Sequence, residues 1–238
     1  MATVTSLGST YNTTAGVKTV VATPAVGDFV FVIVQLTAIS TDPTMTDDNS
    51  DGLGTYTKIG ATYASTGTVK SIMGFVRNGP IGSATSTTFT MTPQAGDLGN
   101  GLQVFKATGM SIFGSTGCRQ SSGQSNQTLG TTPAPVFGAA VLTGNPVIFG
   151  LVNATNPAAI TPRSSPAYTE NVDTGFATPT TGVENNSINS GETATTITQA
   201  STSATVFSDY IVELNAALAP VNPKITQKNI ATRRSYTW

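Results

Sequence analysis

The residues best spaced for chemistry are Asp47, Asn49 and Asp51, followed by Gly52. Oxygen-bearing side chains at alternate positions can surround a hard cation, and glycine permits the sharp turn that a calcium loop needs. The twelfth position of such a loop should bring a bidentate glutamate, and here it is Lys58. The helix-loop-helix site is therefore excluded. An acidic turn leading into a strand is the expected reading, with Asp47, Asn49 and Asp51 kept as a weak calcium candidate and no metal cofactor expected.

Acid pairs for glycoside hydrolysis would have to face each other across a cleft. The local pairs are Glu170 with Asp173 and Asp209 with Glu213. The second pair shares one face of a strand with Ile211, which reads as an ordinary polar face. The chain has no histidine, so Ser-His-Asp and Cys-His nucleophile systems are excluded. Its one cysteine, Cys118, can form neither an intrachain disulfide nor a zinc site of its own. Arg119 beside it would favour a thiolate, but without a base or a second thiol an inert loop residue is expected. The runs GNG and GSTG lack the lysine of a phosphate loop. No catalytic residue and no cofactor are expected, and the chain reads as a non-enzyme.

These residues sit in a chain of 238 residues with only 10% charged side chains and a net charge of −1. Disorder needs low hydrophobicity with high net charge, which is absent here. Low self-repulsion leaves a surface suited to being covered by neighbours. The opening MATVTSLGSTYNTT lacks a basic segment followed by an apolar core, so no signal peptide is expected. The longest apolar run, Phe29 to Val34, is too short to span a bilayer.

Strands are expected over 17–22, 28–37, 56–63, 69–77, 87–92, 101–108, 146–153, 193–199 and 204–215, because these segments alternate or run apolar with β-branched and aromatic residues. Glycine, proline and asparagine clusters punctuate them. Phe29–Val34 is apolar on both faces, which places it inside a layered structure or against a partner. Five segments of the first half (GDFVFVIVQLTA, YTKIG, VKSIMGFV, TTFTMTP, GLQVFKATG) recur in order, at low identity, in the second (GNPVIFGLVNATNP, YTENV, GVENNSIN, TTITQASTS, FSDYIVELNAA). Two interlocked Greek-key halves of one jelly roll, or two tandem sandwiches, would both produce this pattern. One sandwich is preferred, because 108–144 reads as a long connecting loop. The expected fold is all-β: an antiparallel, jelly-roll-like β-sandwich over residues 1–218 with long loops, followed by an extended basic arm over 219–238.

That arm holds Lys224, Lys228, Arg233 and Arg234 and no acid. Pro220 and Pro223 favour an extended course, and Tyr236 and Trp238 supply anchors. Such an arm suits addition to a neighbour's sheet edge, with Arg233, Arg234, Tyr236 and Trp238 as the expected docking residues. Four positive charges beside an acidic body make a poor nucleic-acid footprint, and neither nucleic acid nor membrane is expected as a partner.

The segments DDNSDGLGTYTKIG, IMGFVRN, TSTTFTMT and LQVFKATGM, in that order behind a GD-started apolar strand, resemble a family of phage virion-associated β-sandwich proteins over roughly residues 25–215. The resemblance implies a jelly-roll-like subunit of a bacteriophage virion, as capsid decoration (cement) or a tail or fibre component. Its expected partners are other virion proteins and copies of itself in a homo-oligomer. The alternative is an adsorption module that stacks a receptor or surface glycan on Tyr56, Tyr63, Tyr168 and Phe176.

Overall fold

A computed structural model describes residues 1–37, 41–52, 54–65, 70–127, 132–155, 160–201 and 206–216. The proposed arm, with Arg233, Arg234, Tyr236 and Trp238, lies outside the described residues. The strands are β1 (Thr3–Asn12), β2 (Lys18–Ala22), β3 (Phe29–Thr37), β4 (Thr44–Asp47), β5 (Tyr56–Ala64), β6 (Lys70–Arg77), β7 (Thr87–Thr92), β8 (Gly99–Thr108), β9 (Cys118–Gln127), β10 (Val147–Asn153), β11 (Ile160–Thr161), β12 (Thr169–Ala177), β13 (Thr180–Ile188), β14 (Ala200–Ser201) and β15 (Phe207–Leu214). Every ladder between them is antiparallel. The fold is the expected all-β arrangement of antiparallel sheets packed face to face.

The halves repeat one topology. In the first, the large sheet runs β1-β8-β3-β6-β5 and the small sheet β2-β7-β4. In the second, the large sheet runs β9-β15-β10-β13-β12. Its small layer is looser: 133–137 hydrogen-bonds to 195–199, and β14 pairs with β11. Numbered within each half, both large sheets read 1-8-3-6-5 and both small layers 2-7-4. This is the strand order of an eight-stranded jelly roll, with the fifth strand held at the edge of the larger sheet.

The chain is therefore two equivalent sandwiches, where the sequence favoured one. The stretch 108–144 is no simple connector, since β9 inside it is the first strand of the second half. The two large sheets pack against each other. β1 lies against β12 and β5 against β9, so the equivalent edge strands meet crosswise, as in a two-fold self-complementary interface.

Three apolar layers follow. Phe31, Ile33, Ile72, Ile148, Tyr210 and Val212 fill the space between the large sheets. Val32, Val34, Met73, Phe89, Met91 and Val104 join the first large sheet to its small one. Phe137, Phe149, Leu151, Ile197 and Ile211 do the same in the second half. β3 is buried on both faces because it sits in the middle of this stack. Close approach of the large sheets requires small residues. A Cβ on Gly74 would lie 2.5 Å from the Tyr210 hydroxyl, and one on Gly150 would lie 2.9 Å from both Ile33 and Ile72.

One end of the central interface is polar. The Tyr11 hydroxyl donates to Gln35 Oε1 (2.6 Å), Gln35 Nε2 donates to Asn185 Oδ1 (2.6 Å), and Asn185 Nδ2 donates back to the Tyr11 oxygen (2.9 Å). This closed ring lets three polar side chains, Gln35 and Asn185 fully buried, meet between the sheets without losing their bonds. Lys70 is also buried there, and its Nζ donates to Thr181 Oγ1 (2.7 Å). Loss of solvent drives the Lys70 pKa down to about 8. Between that value and the ordinary lysine value of ~10.4, the unfolded chain binds the proton more readily than the folded one. Stability is therefore expected to rise with pH over that window, and Lys70→Met should remove the rise in urea melts from pH 7.5 to 10.

Candidate functional site

The acidic turn after β4 is closed by its own chain. Arg77, at the end of β6, is fully buried. Its Nε donates to Asp47 Oδ2 (2.7 Å) and one terminal nitrogen to Asp51 Oδ1 (2.5 Å). The other terminal nitrogen donates to the carbonyls of Pro80 (2.6 Å) and Gly79 (3.2 Å). The Tyr56 hydroxyl adds a bond to Asp47 Oδ2 (2.9 Å). Asn49 points away from the acids and donates to Ser83 O and Thr87 Oγ1. The two carboxylates that sequence spacing offers to calcium are thus both engaged by one guanidinium. The proposed ligands Asp47, Asn49 and Asp51 do not converge on one cation. Among the described residues, no three His, Cys, Asp or Glu side chains are grouped to hold a metal ion.

The two acid pairs lie on the outer face of the second large sheet, and the expected exposed polar face is in fact covered for one of them. Glu213 is fully buried and accepts from Arg119 (2.5 Å), Gln120 Nε2 (2.6 Å), Asn145 Nδ2 (2.6 Å) and Leu142 N (3.0 Å). It is the post that ties segment 139–145 over the sheet. Asp209 takes one bond from Gln124 N (2.7 Å), and burial holds its carboxyl well above the usual range. Glu170 and Asp173 are exposed on β12, opposite Asn186 and Glu184.

Glu184, which sequence reading passed over, is wholly buried with neither carboxylate oxygen hydrogen-bonded. Burial first, then the charges of Glu170 and Asp173, push its pKa up to about 9. It is therefore neutral at pH 7. Of these acids, Glu213 braces the covering segment through Leu142 and Asn145.

Cys118 is partly buried at the start of β9, and loss of solvent around the sulfur drives its thiol up to about 12. Arg119 is engaged with Glu213 instead. The thiol is thus far from the thiolate state that reactivity requires. The aromatic candidates for glycan stacking are turned inward. Tyr168 bonds Glu192, Phe176 is buried beside Gly99, Tyr63 packs on Tyr210, and Tyr56 serves the Asp47 network.

What the sheets do present outward is a face of threonine and valine with one charge at its β4 edge, Asp48, whose carboxylate accepts from Thr88 N. On the exposed side of β2-β7-β4 the register sets Thr19, Thr90 and Thr46 in one row and Val21 beside Thr88. Thr44 and Thr92 pair in the next row. Their partners on the inner side, Val20, Phe89, Met91 and Met45, are core residues. Val17 and Val21 are 55% and 63% exposed. The alternating TTFTMT and TMT carried this signal, since period-2 threonine must face away from the apolar side.

The fold and this face define a four-layered β-protein made of two jelly-roll-ordered sandwiches joined back to back. Comparison with family models, with curated proteins and with solved structures finds no match to this chain.

Proposed function

We propose that this chain is a non-enzymatic structural subunit of a bacteriophage virion, a capsid decoration or tail-associated protein held among copies of itself and other virion proteins. The observation that carries the assembly role is the Thr/Val face of β2-β7-β4. A sheet face of threonines and exposed valines whose one charge, Asp48, sits at the β4 edge bonded to Thr88 N suits burial against another protein surface, because desolvating most of it costs little. The phage assignment rests on the resemblance of the ordered segments between 25 and 215. The inward aromatics take support away from the glycan-binding alternative.

A charge placed in this face should act selectively. Val21→Arg with Thr90→Arg is expected to weaken incorporation into particles, or self-association measured by sedimentation, by tenfold or more, equivalent to ~1.4 kcal/mol. The thermal transition should move little, because both positions point outward. Unchanged incorporation would remove the face from the interface. Stoichiometric recovery of the chain in purified particles tests the virion role itself.

A further inference from the structure

Lys18, Asp97 and Asn100 converge at one end of the first half's core. Lys18 opens β2 and shares its inward face with Val20, while Asn100 near the start of β8 shares its face with Leu102 and Val104. The two side chains therefore approach from opposed sheets. All three residues are buried, with exposures of 4%, 6% and 1%.

Lys18 Nζ donates to Thr14 O (2.6 Å) and Gly16 O (3.1 Å). Asn100 Nδ2 donates to the same Gly16 oxygen (3.1 Å) and to the Asp97 carboxylate. A shared acceptor keeps the amine and the amide no farther apart than two hydrogen bonds laid end to end. Asn100 Oδ1 is buried with no partner. Asp97 also accepts from Gly99 N (3.0 Å), which fixes its carboxyl beside the amide. Burial pushes the lysine pKa down and the aspartate pKa up, so the low-dielectric setting favours the neutral amine and the neutral acid.

We propose that Lys18 and Asn100 join in an intramolecular isopeptide bond, with Asp97 as the catalytic proton carrier. The ammonium first passes its proton to Asp97. The free Nζ then attacks Asn100 Cγ, forming the new C–N bond. Asp97 delivers a proton to Nδ2 and recovers one from Nζ as the Cγ–Nδ2 bond breaks. Amine plus primary amide become secondary amide plus ammonia, with no oxidant or other co-reactant. A shallow depression of about 460 Å³ lined by Gly16, Val17, Gln94, Ala95, Gly96 and Asp97 adjoins the site and offers ammonia an exit.

The product would clamp the small sheet to the large one by a covalent tie, in a chain whose single cysteine provides no disulfide. Closing so long a loop restricts the unfolded chain as a disulfide does.

The test is the intact mass of the full-length protein after denaturation. The expected mass is below the sequence mass by one ammonia, and a protease digest should contain a branched peptide joining Lys18 to Asn100. Asp97→Asn and Lys18→Arg should each return the full sequence mass and lower Tm by about 10 °C. Wild-type protein at the full sequence mass, with the two peptides separate, overturns the proposal even if neither variant folds. A bond that still forms in Asp97→Asn overturns the role of the aspartate.

Discussion

Arg77→Met is expected to destabilise the fold by about 3–5 kcal/mol, the cost of leaving buried charge without its counter-ion. Arg77 holds two carboxylates and two carbonyls from a fully buried position. Methionine replaces the volume of the stem but none of the donors. Asp47 and Asp51 would then repel each other, and the bonds they keep, from the Tyr56 hydroxyl to Asp47 and from Gly82 N to Asp51, supply no counter-charge. The turn 47–52 should detach first, because it is tied to β6 through this side chain and to the 82–88 segment through Asp51, Asp48 and Asn49. Urea melts of wild type and variant give the number, and a loss under ~1 kcal/mol would show that the network is not held by its charge. Asp47→Asn and Asp51→Asn added to Arg77→Met should recover part of the loss, since the triple variant leaves no charge in this network.

Glu184→Gln is expected to stabilise the protein at pH 8 by a few kcal/mol and to do almost nothing at pH 4. The folded protein keeps a proton on Glu184 up to about pH 9, whereas the unfolded chain releases it near the ordinary glutamate value of ~4.3. Between these limits the native state binds more protons, so stability falls as pH rises, by up to ~1.4 kcal/mol for each pH unit. Below the window both states are protonated and the dependence vanishes. Glutamine is neutral throughout and removes this slope. The measurement is the difference between wild-type and variant stability from pH 4 to 9. Parallel curves would mean that Glu184 is ionised in the native state or has reached solvent.

The strands that were legible in the sequence are those whose inner neighbours are apolar on a simple period. β2, β3, β5, β6, β7, β8, β10 and β15 announce themselves by runs or alternation of β-branched and aromatic residues, TTFTMT among them. The order of the repeated segments also matches the order of equivalent strands, from β3 with β10 to β8 with β15. Two of the strands that local pattern did not show were hidden for identifiable reasons. β9, CRQSSGQSNQ, has no apolar side of its own. It is a strand because its small residues fit beneath β5, with Gly123 against the Tyr63 ring and Ser121 against Gly60. β13, TTGVENNSI, is buried along almost its whole length although most of it is polar, because it lies between a large sheet on one side and a covering layer on the other. The segment 193–199 looked like a strand and instead lies as a single hydrogen-bonded strip over the second sheet, joined through Thr196 and Ile197 to 135–136.

Local pattern, which depends only on residues two or three apart, settled the β class, the absence of imidazole chemistry, the threonine face and the existence of two related halves. Pairings between residues thirty to one hundred and fifty positions apart were settled by the folded chain alone. They include Arg77 reaching the acidic turn, Gln35 meeting Asn185, and Lys18 brought beside Asn100. The reason is that a side chain's charge and partners are set by what removes its water, and the neighbours that do so are chosen by sheet packing.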